Sequence, residues 1–448
     1  MSFESVVDGV RDRVVPDEDE LRALEAAVEE LTDRAETAIE ALPVEADTKL
    51  VGSTARGTWL AGDRDIDLFV RVPTDLDRTD LEQYGLQVGH AVLPEGHEEF
   101  AEHPYVKGEL RGFDVDCVPC YDVEDATAIR SAVDRTPFHT AYLEGRIDPL
   151  ADDVRVAKAF LSAIGAYGSD LRNKGFSGFL TELLVLEYGG FRAFVEAAAD
   201  WEPPIRFDPA EHGERSFEDS LVVIDPTDPE RNVAAVCSPR NVARLIHHAR
   251  ELLDDPRPER FESDSPEPLA AADVRARLDA RGTAPVAVRF EAPDIVDDQL
   301  YPQLEKSLNG LESALERAGF APLRSACFAR DEAVLLIECA VPRLSTVSRH
   351  EGPPVGVRNH AEGFYEAYQP DSDVTGPFID EAGRYVVERT RENRTPAELV
   401  RSKLFDVSLG PHIESALSDE HEVLADAAVG TLSDQFGVEL AAYFDPEP

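Results

Sequence analysis

The sequence predicts a multidomain α+β protein, and three observations lead to that fold class. The chain has 448 residues, which exceeds what one hydrophobic core usually organises and favours about two to four domains. Hydrophobic residues make up 43% of it, enough for packed cores and too many for a wholly disordered chain. Segments with helical periodicity mix with β-rich segments in the first and last parts of the chain, whereas the middle is mainly helical.

The first predicted domain, residues 1–148, combines helices with strands. Apolar residues recur at helical spacing through residues 17–42, and Pro43 ends that helix. The pair Arg111-Gly112 predicts a hairpin turn between the last two strands. The predicted strands are residues 48–51, 66–72, 105–110 and 113–119, and a second helix covers residues 81–92.

The rest of the chain divides into a helical domain, a linker and a second α+β domain. Residues 149–253 keep apolar side chains at helical spacing. Residues 254–268 concentrate Pro and charge, which is typical of a linker. The last domain, residues 269–448, has predicted elements at residues 286–290 (strand), 301–318 (helix, closed by Gly319) and 325–329 with 333–341 (hairpin).

The large net negative charge of the chain does not by itself decide which partners it can bind. Ninety acidic against 44 basic residues give a net charge of −46, which in ordinary buffers argues against a polyanionic partner. Only six of the basic residues are Lys, a composition that resembles proteins of salt-accumulating halophiles. At such salt the Debye length falls to about 3 Å, so repulsion between this surface and a nucleic acid is screened. RNA binding is therefore not excluded. The alternative to a halophilic protein is an acidic protein from a mesophile that lives at ordinary salt concentration.

Two further patterns bear on location and redox state. No apolar run reaches the ~18 residues that cross a bilayer, and the acidic N-terminus lacks a signal-peptide core, so we expect a cytoplasmic protein without a membrane partner. The five cysteines are scattered and odd in number, which predicts reduced thiols. Cys117 and Cys120 form a lone C-x-x-C without a second pair, which favours buried structural thiols over a zinc site.

Acidic residues alternate with apolar ones in two of the predicted strands. Asp65 and Asp67 are two residues apart and share one strand face, while the residues between and after them face a core. Asp114 and Asp116 alternate in the same way. Carboxylates that face one another are tolerable around a divalent ion, and hard oxygen donors favour Mg²⁺. A third carboxylate from a neighbouring strand, for which Asp114 and Asp116 are candidates, would complete a two-metal site able to activate a hydroxyl and neutralise a leaving pyrophosphate.

A candidate phosphate-binding turn lies between the first two strands. Gly52 lets the backbone approach a phosphate closely, and Ser53 adds a hydroxyl donor near a predicted helix start. Arg56, one turn later, can clamp a triphosphate. A Gly-Ser pair alone is a weak signal, but its combination with three strand aspartates is specific. The alternative is that these aspartates are halophilic surface charge.

Several longer stretches carry a family resemblance. Gly52-Ser53 with Asp65, Asp67 and Asp116 resembles the nucleotidyltransferase superfamily of DNA polymerase beta. The stretches VGSTARGTWLAGDRDIDLF, DVDCVPCY, SAVDRTPFHT, NKGFSGFLTELLVLEYGGF and VVIDPTDPERNVAA resemble the archaeal CCA-adding enzymes, tRNA nucleotidyltransferases related to eukaryotic poly(A) polymerases. The resemblance implies a polymerase-beta-like catalytic palm, a helical central domain completing the nucleotide pocket, and a C-terminal tRNA-binding body and tail. With the composition, it indicates a haloarchaeal source.

The resemblance also implies a reaction and its ligands. It implies template-independent addition of the 3′-terminal CCA of tRNA from CTP and ATP, with two Mg²⁺ ions and pyrophosphate release. Asp65, Asp67 and Asp116 would be the catalytic metal ligands, and Gly52, Ser53 and Arg56 would hold the triphosphate.

Four more residues fall where the family has nucleotide contacts: His139, Lys158, Tyr167 and Arg231. Taken singly, each has a simpler interpretation. Lys158 is a surface lysine, although lysine is scarce here, and His139 is a satisfied polar residue. Tyr167 is a half-buried aromatic at a helix end, and Arg231 is solvated. With the family, Arg231 and His139 become the candidates for reading the base, because a mismatched base edge leaves buried polar groups unpaired.

The last domain is the candidate surface for the acceptor end of tRNA. Five arginines interleave with two phenylalanines and a histidine there, which predicts contacts to RNA backbone and shape, with a solvated domain face as an equal alternative. These residues are Arg317, Arg324, Arg330, Arg343, Arg349, Phe320, Phe328 and His350.

Two other functions stay open at this point. One is a poly(A) polymerase or another terminal transferase, and the other is a non-catalytic RNA-binding or sensor protein that retains the fold. The sequence leaves open how addition stops after three nucleotides and whether the chain forms a homodimer.

Overall fold

The structure is a computed structural model that describes residues 1–100, 102–263 and 265–448. The chain forms two compact units, Met1–Asp264 with Pro448, and Ser265–Glu447. The predicted division of the first unit into residues 1–148 and 149–253 stays a prediction. Asp264, in the predicted linker, lies outside the described residues.

A five-stranded mixed sheet is the centre of the N-terminal part of the first unit. Its strand order is β1-β2-β5-β4-β3, and only β2 and β5 pair in parallel. The four predicted strands are confirmed to within two residues at their ends, and β3 was not predicted. The strands are β1 (Asp47–Val51), β2 (Asp65–Val72), β3 (His97–Phe100), β4 (Pro104–Leu110) and β5 (Phe113–Tyr121).

Two amphipathic helices cover one face of this sheet, α2 (Glu18–Glu40) and α4 (Arg78–Val92). A capping box of Asp17 with Glu20 starts α2. In α4, a Cβ at Gly85 would lie 2.5 Å from the side chain of Pro119, so the glycine allows close packing on β5. Both predicted helices are confirmed. The first helix, α1 (Phe3–Val14), and the four-residue α3 (Gly52–Ala55) complete this part.

The middle of the chain is mainly helical, as predicted, but it also holds a small sheet. Its helices are α5 (Thr136–Leu143), α6 (Ala151–Ala163), α7 (Gly178–Tyr188), α8 (Phe191–Ala199) and α9 (Pro239–Asp254). Three short strands with the order β6-β7-β8 lie between α8 and α9: β6 (Ile205–Phe207), β7 (Leu221–Asp225) and β8 (Asp228–Asn232). All of β7 is buried, and an apolar run this short does not distinguish a buried strand from a helix by periodicity.

The second unit is α+β, as predicted, and contains two sheets. The predicted strand, helix and hairpin are confirmed as β9, α11 and β10 with β11, and Gly319 closes the helix with a φ of 94°. Its helices are α10 (Ala271–Arg281), α11 (Asp297–Ala318), α12 (Arg358–Tyr368), α13 (Pro396–Lys403), α14 (Pro411–Asp419) and α15 (Ser433–Phe444). Its strands are β9 (Ala284–Glu291), β10 (Pro322–Ala329), β11 (Glu332–Cys339), β12 (Val347–Pro354), β13 (Val374–Ile379), β14 (Arg384–Thr390) and β15 (Glu422–Ala425).

Strand pairing separates these seven strands into a larger and a smaller sheet. The larger one has the order β10-β11-β9-β15, and the smaller one β12-β14-β13. Over the described part of the chain, no helix combines the length and apolarity needed to span a membrane. Cys117 and Cys120 are buried thiols in β5, and burial raises the pKa of Cys117 to about 12, as expected of structural thiols.

Candidate functional site

The strand aspartates are brought together by the one parallel pair of the large sheet. Asp67 in β2 lies opposite Asp116 in β5, and Asp65 lies opposite Asp114. Side chains in register on neighbouring strands share a face, as do residues two apart on one strand. Asp65, Asp67 and Asp116 therefore project from the same face of the sheet, as the sequence predicted.

Gly52 lies against the carboxylate of Asp67. Asp67 pairs with Val51 at the end of β1, where the chain turns into α3. Gly52 has a φ of 75°, and a Cβ there would lie 2.1 Å from Oδ2 of Asp67. Only glycine allows this turn and this approach together. The hydroxyl of Thr54 donates to the carbonyl of Asp65 at 2.6 Å, which ties the turn to the start of β2.

The three carboxylates carry more negative charge than their surroundings neutralise. Burial, followed by repulsion from Asp116 and Asp65, raises the pKa of Asp67 to about 6. Burial also raises the pKa of Asp116, although Lys107 opposes the shift with Nζ 3.4 Å from its Oδ1. Burial and repulsion from Asp63 and Asp114 raise the pKa of Asp65. A cluster of hard oxygen donors with excess charge fits a divalent cation such as Mg²⁺.

The three aspartates suit a divalent cation by their chemistry and their placement, but they do not form a tight ligand cage. Among the described residues, one group of three His, Cys, Asp or Glu residues has ligand atoms within 4.8 Å of one another, and it is His247, His248 and Glu251 in α9. The ligand atoms of the three aspartates do not all lie within that distance of one another, and Lys107 Nζ lies 3.4 Å from Oδ1 of Asp116. The α9 group is a poor cation site, because the guanidinium of Arg260 already binds Glu251.

Arg56 and Lys158 meet at a buried acid that the sequence analysis missed, Glu182 in α7. Arg56 Nε donates to Oε2 of Glu182 at 2.8 Å, and the Glu182 side chain is fully buried. Thr58 donates its hydroxyl to the other oxygen of Glu182. Lys158 Nζ donates to the carbonyl of Thr58 at 2.9 Å and lies 3.9 Å from Glu182. Lys158 is only 2% exposed, so the surface interpretation of this lysine is wrong.

The electrostatic neighbourhood of Glu182 extends to Tyr167. Burial lowers the pKa of Lys158 to about 8, although Glu182 opposes the shift. Burial, followed by the charge of Glu182, raises the pKa of Tyr167 above its ordinary value. The structure thus gathers Arg56, Lys158 and Tyr167 around one carboxylate. Ser53 lies half-buried in α3, and its carbonyl accepts from the backbone of Thr58 at 2.9 Å.

His139 and Arg231 meet at a second acid that the sequence analysis missed, Asp225 at the end of β7. His139 Nε2 and Arg231 Nη1 each lie 2.8 Å from Oδ2 of Asp225, which is fully buried. Burial disfavours the ionised form of Asp225, but hydrogen bonds from His139 and Thr227 outweigh it and lower its pKa. The ring of His139 stacks on Phe179, with centroids 3.8 Å apart and planes at 11°.

Each missed acid left a signal in the sequence. Glu182 is the one charge within the apolar stretch Phe179–Leu186, and Asp225 ends the apolar run of β7. A buried charge is costly unless it is paired, so a single acid in such a run indicates a network. Lys107 left a similar signal as one of six lysines in the chain.

The predicted RNA surface in the second unit is partly wrong. Phe320 is fully buried and Phe328 is 9% exposed, because both contribute to cores of that unit, so neither can stack on a base. Arg324 donates to the carbonyl of Tyr443, and Arg330 pairs with Glu439 at 2.7 Å. Arg349 pairs with Asp380. Arginines held by protein partners favour the alternative of a solvated domain face at these three positions.

The chain matches three family patterns, which together span most of its length. The pattern described as a nucleotidyltransferase domain matches residues 33–139. A second, described as the second domain of tRNA nucleotidyltransferase, matches residues 152–262. The third, described as the C-terminal domain of CCA-adding enzyme, matches residues 281–426. These matches confirm the predicted nucleotidyltransferase fold.

Relatives from several archaea are similar over nearly the whole chain. A protein of Haloarcula marismortui named CCA-adding enzyme is 58% identical, covering 100% of this chain and 99% of the relative. A CCA-adding enzyme of Halobacterium salinarum is 56% identical, covering 99% of each. One of Methanosarcina mazei is 39% identical, covering 95% of each. The similarity to haloarchaeal proteins agrees with the acidic, lysine-poor composition.

Proposed function

The chain belongs to the CCA-adding enzyme family, and from that premise we propose that it builds and repairs the 3′-terminal CCA of tRNA from CTP and ATP. In each step the 3′ hydroxyl of tRNA gives up its proton to a carboxylate or water near Asp116 and attacks the α-phosphorus of the nucleotide. The bond from the α-phosphorus to the bridging oxygen breaks, and pyrophosphate leaves. A cytoplasmic location follows from the tRNA substrate and is part of the proposal.

The observation that carries the proposal is the pairing of Asp67 with Asp116 beside Gly52. It places carboxylates from two strands next to a backbone turn that a phosphate can approach. Asp65, Asp67 and Asp116 are the residues that we assign to Mg²⁺, and two bound ions would supply an activated hydroxyl and neutralise the leaving pyrophosphate.

Arg56 and Lys158 are the cations that we assign to the triphosphate, with Ser53 and Tyr167 beside them. Glu182 holds both cations in place, so their positions are set before a nucleotide binds. Preorganised charge costs no reorganisation at the moment of reaction. His139 and Arg231 are the residues that we assign to the base, because Asp225 holds them in one fixed pair.

The test is incorporation of one nucleotide at a time. The purified chain, in molar KCl with Mg²⁺, is incubated with tRNAs that end before the CCA, after the first C or after the second C. We expect addition of C, C and then A, with no product from UTP or GTP and no extension of the complete tRNA.

The controls separate the proposal from its alternatives. A ladder of adenylates on an unrelated RNA would replace it with a poly(A) polymerase. Binding of tRNA without release of pyrophosphate in any arm would replace it with a non-catalytic RNA-binding protein.

A further inference from the structure

Asp225 is a buried carboxylate with several hydrogen-bond partners, and the proposed function gives it no role of its own. Its Oδ1 accepts from the backbone N–H of Thr227 at 2.9 Å and from the hydroxyl of Thr227 at 2.7 Å. Its Oδ2 lies 2.8 Å from both His139 Nε2 and Arg231 Nη1. The side chain is fully buried, while Arg231 is 35% exposed and lines a cavity of 810 Å³ together with Arg135. Asp225 is therefore shielded from solvent and contacts Arg231, which lines this cavity.

The hydrogen bond to Asp225 decides which nitrogen of His139 carries the proton. An ionised carboxylate only accepts hydrogen bonds, and the pKa of Asp225 is lowered, so the Nε2 facing it must be the donor. Burial lowers the pKa of His139, although the hydrogen bond to Asp225 opposes the shift, and this favours the neutral ring. A neutral ring with its proton on Nε2 has an unprotonated Nδ1, which can only accept. The stack on Phe179 fixes the plane of the ring and hence the direction of that acceptor.

We propose that Asp225 is a positioning residue that makes His139 a hydrogen-bond acceptor toward a donor group of the incoming nucleotide. The inference rests on the proposed function, since it concerns how the same site chooses its nucleotide. Two donors have the required chemistry. One is the exocyclic amino group that cytosine and adenine share and that uracil and guanine replace with a carbonyl oxygen. The other is the ribose 2′ hydroxyl.

The discriminating variant is Asp225→Asn, because it preserves shape and changes hydrogen-bonding polarity. An amide can donate to Nε2, which allows the proton to move to Nδ1 and turns the acceptor into a donor. Asp228→Asn is the matched control, since Asp228 is a nearby partly buried acid that pairs with Arg135 at 3.1 Å and does not contact His139 in the described contacts.

The kinetic readout compares nucleotides rather than overall rates. The ratio of kcat/KM for CTP over UTP tests the amino group, and the ratio for CTP over 2′-deoxy-CTP tests the ribose hydroxyl. In Asp225→Asn we expect the ratio for CTP over UTP to fall about tenfold if the amino group is the partner, since a donor facing a donor leaves both unpaired. If the ribose hydroxyl is the partner, the ratio for CTP over 2′-deoxy-CTP should fall by a smaller factor, since a hydroxyl can also accept. Both ratios should stay near the wild-type values in Asp228→Asn. Unchanged ratios in Asp225→Asn would overturn the inference.

A spectroscopic readout keeps the inference testable if Asp225→Asn does not fold. In wild-type protein labelled with ¹⁵N-histidine, the ring nitrogens of His139 are assigned with His139→Gln. We expect a protonated Nε2, a bare Nδ1, and a shift of the Nδ1 resonance when CTP is added. A proton on Nδ1, or no response to CTP in an enzyme that incorporates C, would overturn the inference.

The two proposals fail in different ways. If the wild-type chain adds no C and A to tRNA, the proposed function fails. If it adds them while Asp225→Asn retains both ratios or His139 has the other tautomer, only the role of Asp225 fails.

Discussion

Two groups of carboxylates in the first unit, the strand aspartates and Asp225, have opposite charge balance. At the strand aspartates, burial and like charges raise the pKa of Asp67 to about 6. At Asp225, hydrogen bonds overcome burial and lower the pKa. Burial raises the pKa at both Asp67 and Asp225, so burial alone does not separate them. The difference lies in the charged partners. Acids with too few cationic side chains nearby can bind an added cation, whereas acids that are paired with cationic side chains hold those side chains in place.

The largest expected effect is on catalysis at the strand aspartates. Asp116→Asn should lower nucleotide incorporation by about 1,000-fold, because several kcal/mol of transition-state stabilisation depend on its charge. Binding of tRNA should be retained, since the variant relieves like-charge repulsion and loses only a partly exposed ion pair with Lys107, which contributes little to stability. Incorporation assays and filter binding measure the two effects. Asp114→Asn is the control, an exposed aspartate two residues away on the same strand. Activity within tenfold of wild type in Asp116→Asn would contradict the catalytic role of the strand aspartates.

The second effect is on stability at the cation-paired acids. Glu182→Gln should lower the free energy of unfolding by about 3–5 kcal/mol, because it leaves the buried charges of Arg56 and Lys158 without their partner. Urea unfolding in molar KCl measures the loss. Glu187→Gln, in the same helix and partly exposed, should cost less than about 1 kcal/mol. Equal losses in the two variants would remove the distinction between paired and exposed acids.

The third effect is on the pH dependence of the unfolding free energy, which should have opposite signs for Asp67 and Asp225. It is measured with a chelator present. The folded pKa of Asp67 lies above the unfolded value of about 3.9, so the folded state holds the extra proton between pH 4 and 6. Through Asp67, the protein therefore gains up to about 2 kcal/mol as pH falls from 7 to 4, and Asp67→Asn should abolish that gain.

For Asp225, the contribution to stability depends on pH in the opposite direction. Its folded pKa lies below the unfolded one, so its contribution is present above pH 4 and is lost as pH falls further. Asp225→Asn should thus cost most at pH 7 and progressively less below pH 4. Unfolding free energies of wild type and both variants at pH 7, 5 and 3.5 check the signs. A cost that does not depend on pH in either variant would contradict the assignment of charge.

The smallest effect concerns Lys107, which partly compensates Asp116. Lys107 is about a third exposed, so Lys107→Met should change stability by less than about 1 kcal/mol. It should instead tighten Mn²⁺ binding several-fold, because it removes the cation that competes for Asp116. Calorimetric titration measures this change. Lys107→Arg keeps the charge and should bind Mn²⁺ as wild type does, and equal affinities in all three proteins would exclude the competition.

Much of the fold and part of the site could be predicted from local patterns. The alternation around Asp65 and Asp67 predicted a strand with one acidic face, and the structure has that strand as β2. A glycine turn was predicted at Gly52 because a phosphate could approach its backbone, and in the structure the glycine is needed because the carboxylate of Asp67 lies against it. The interpretation of Phe320 as a surface aromatic was wrong, because the spacing of residues near a helix end does not reveal which side faces the core.

Strand alternation, helix periodicity and the Gly-Ser turn depend on neighbours within a few residues, and the sequence by itself determined them. The partners of the buried acids depend on the tertiary structure. Arg56 and Glu182 are 126 residues apart, and His139 and Asp225 are 86 apart. No local spacing relates such residues, because only the packing of α5, α7 and β7 brings them within hydrogen-bonding distance. Which acids are compensated and which remain in excess is therefore decided by long-range contacts, although the acids themselves are visible in the sequence.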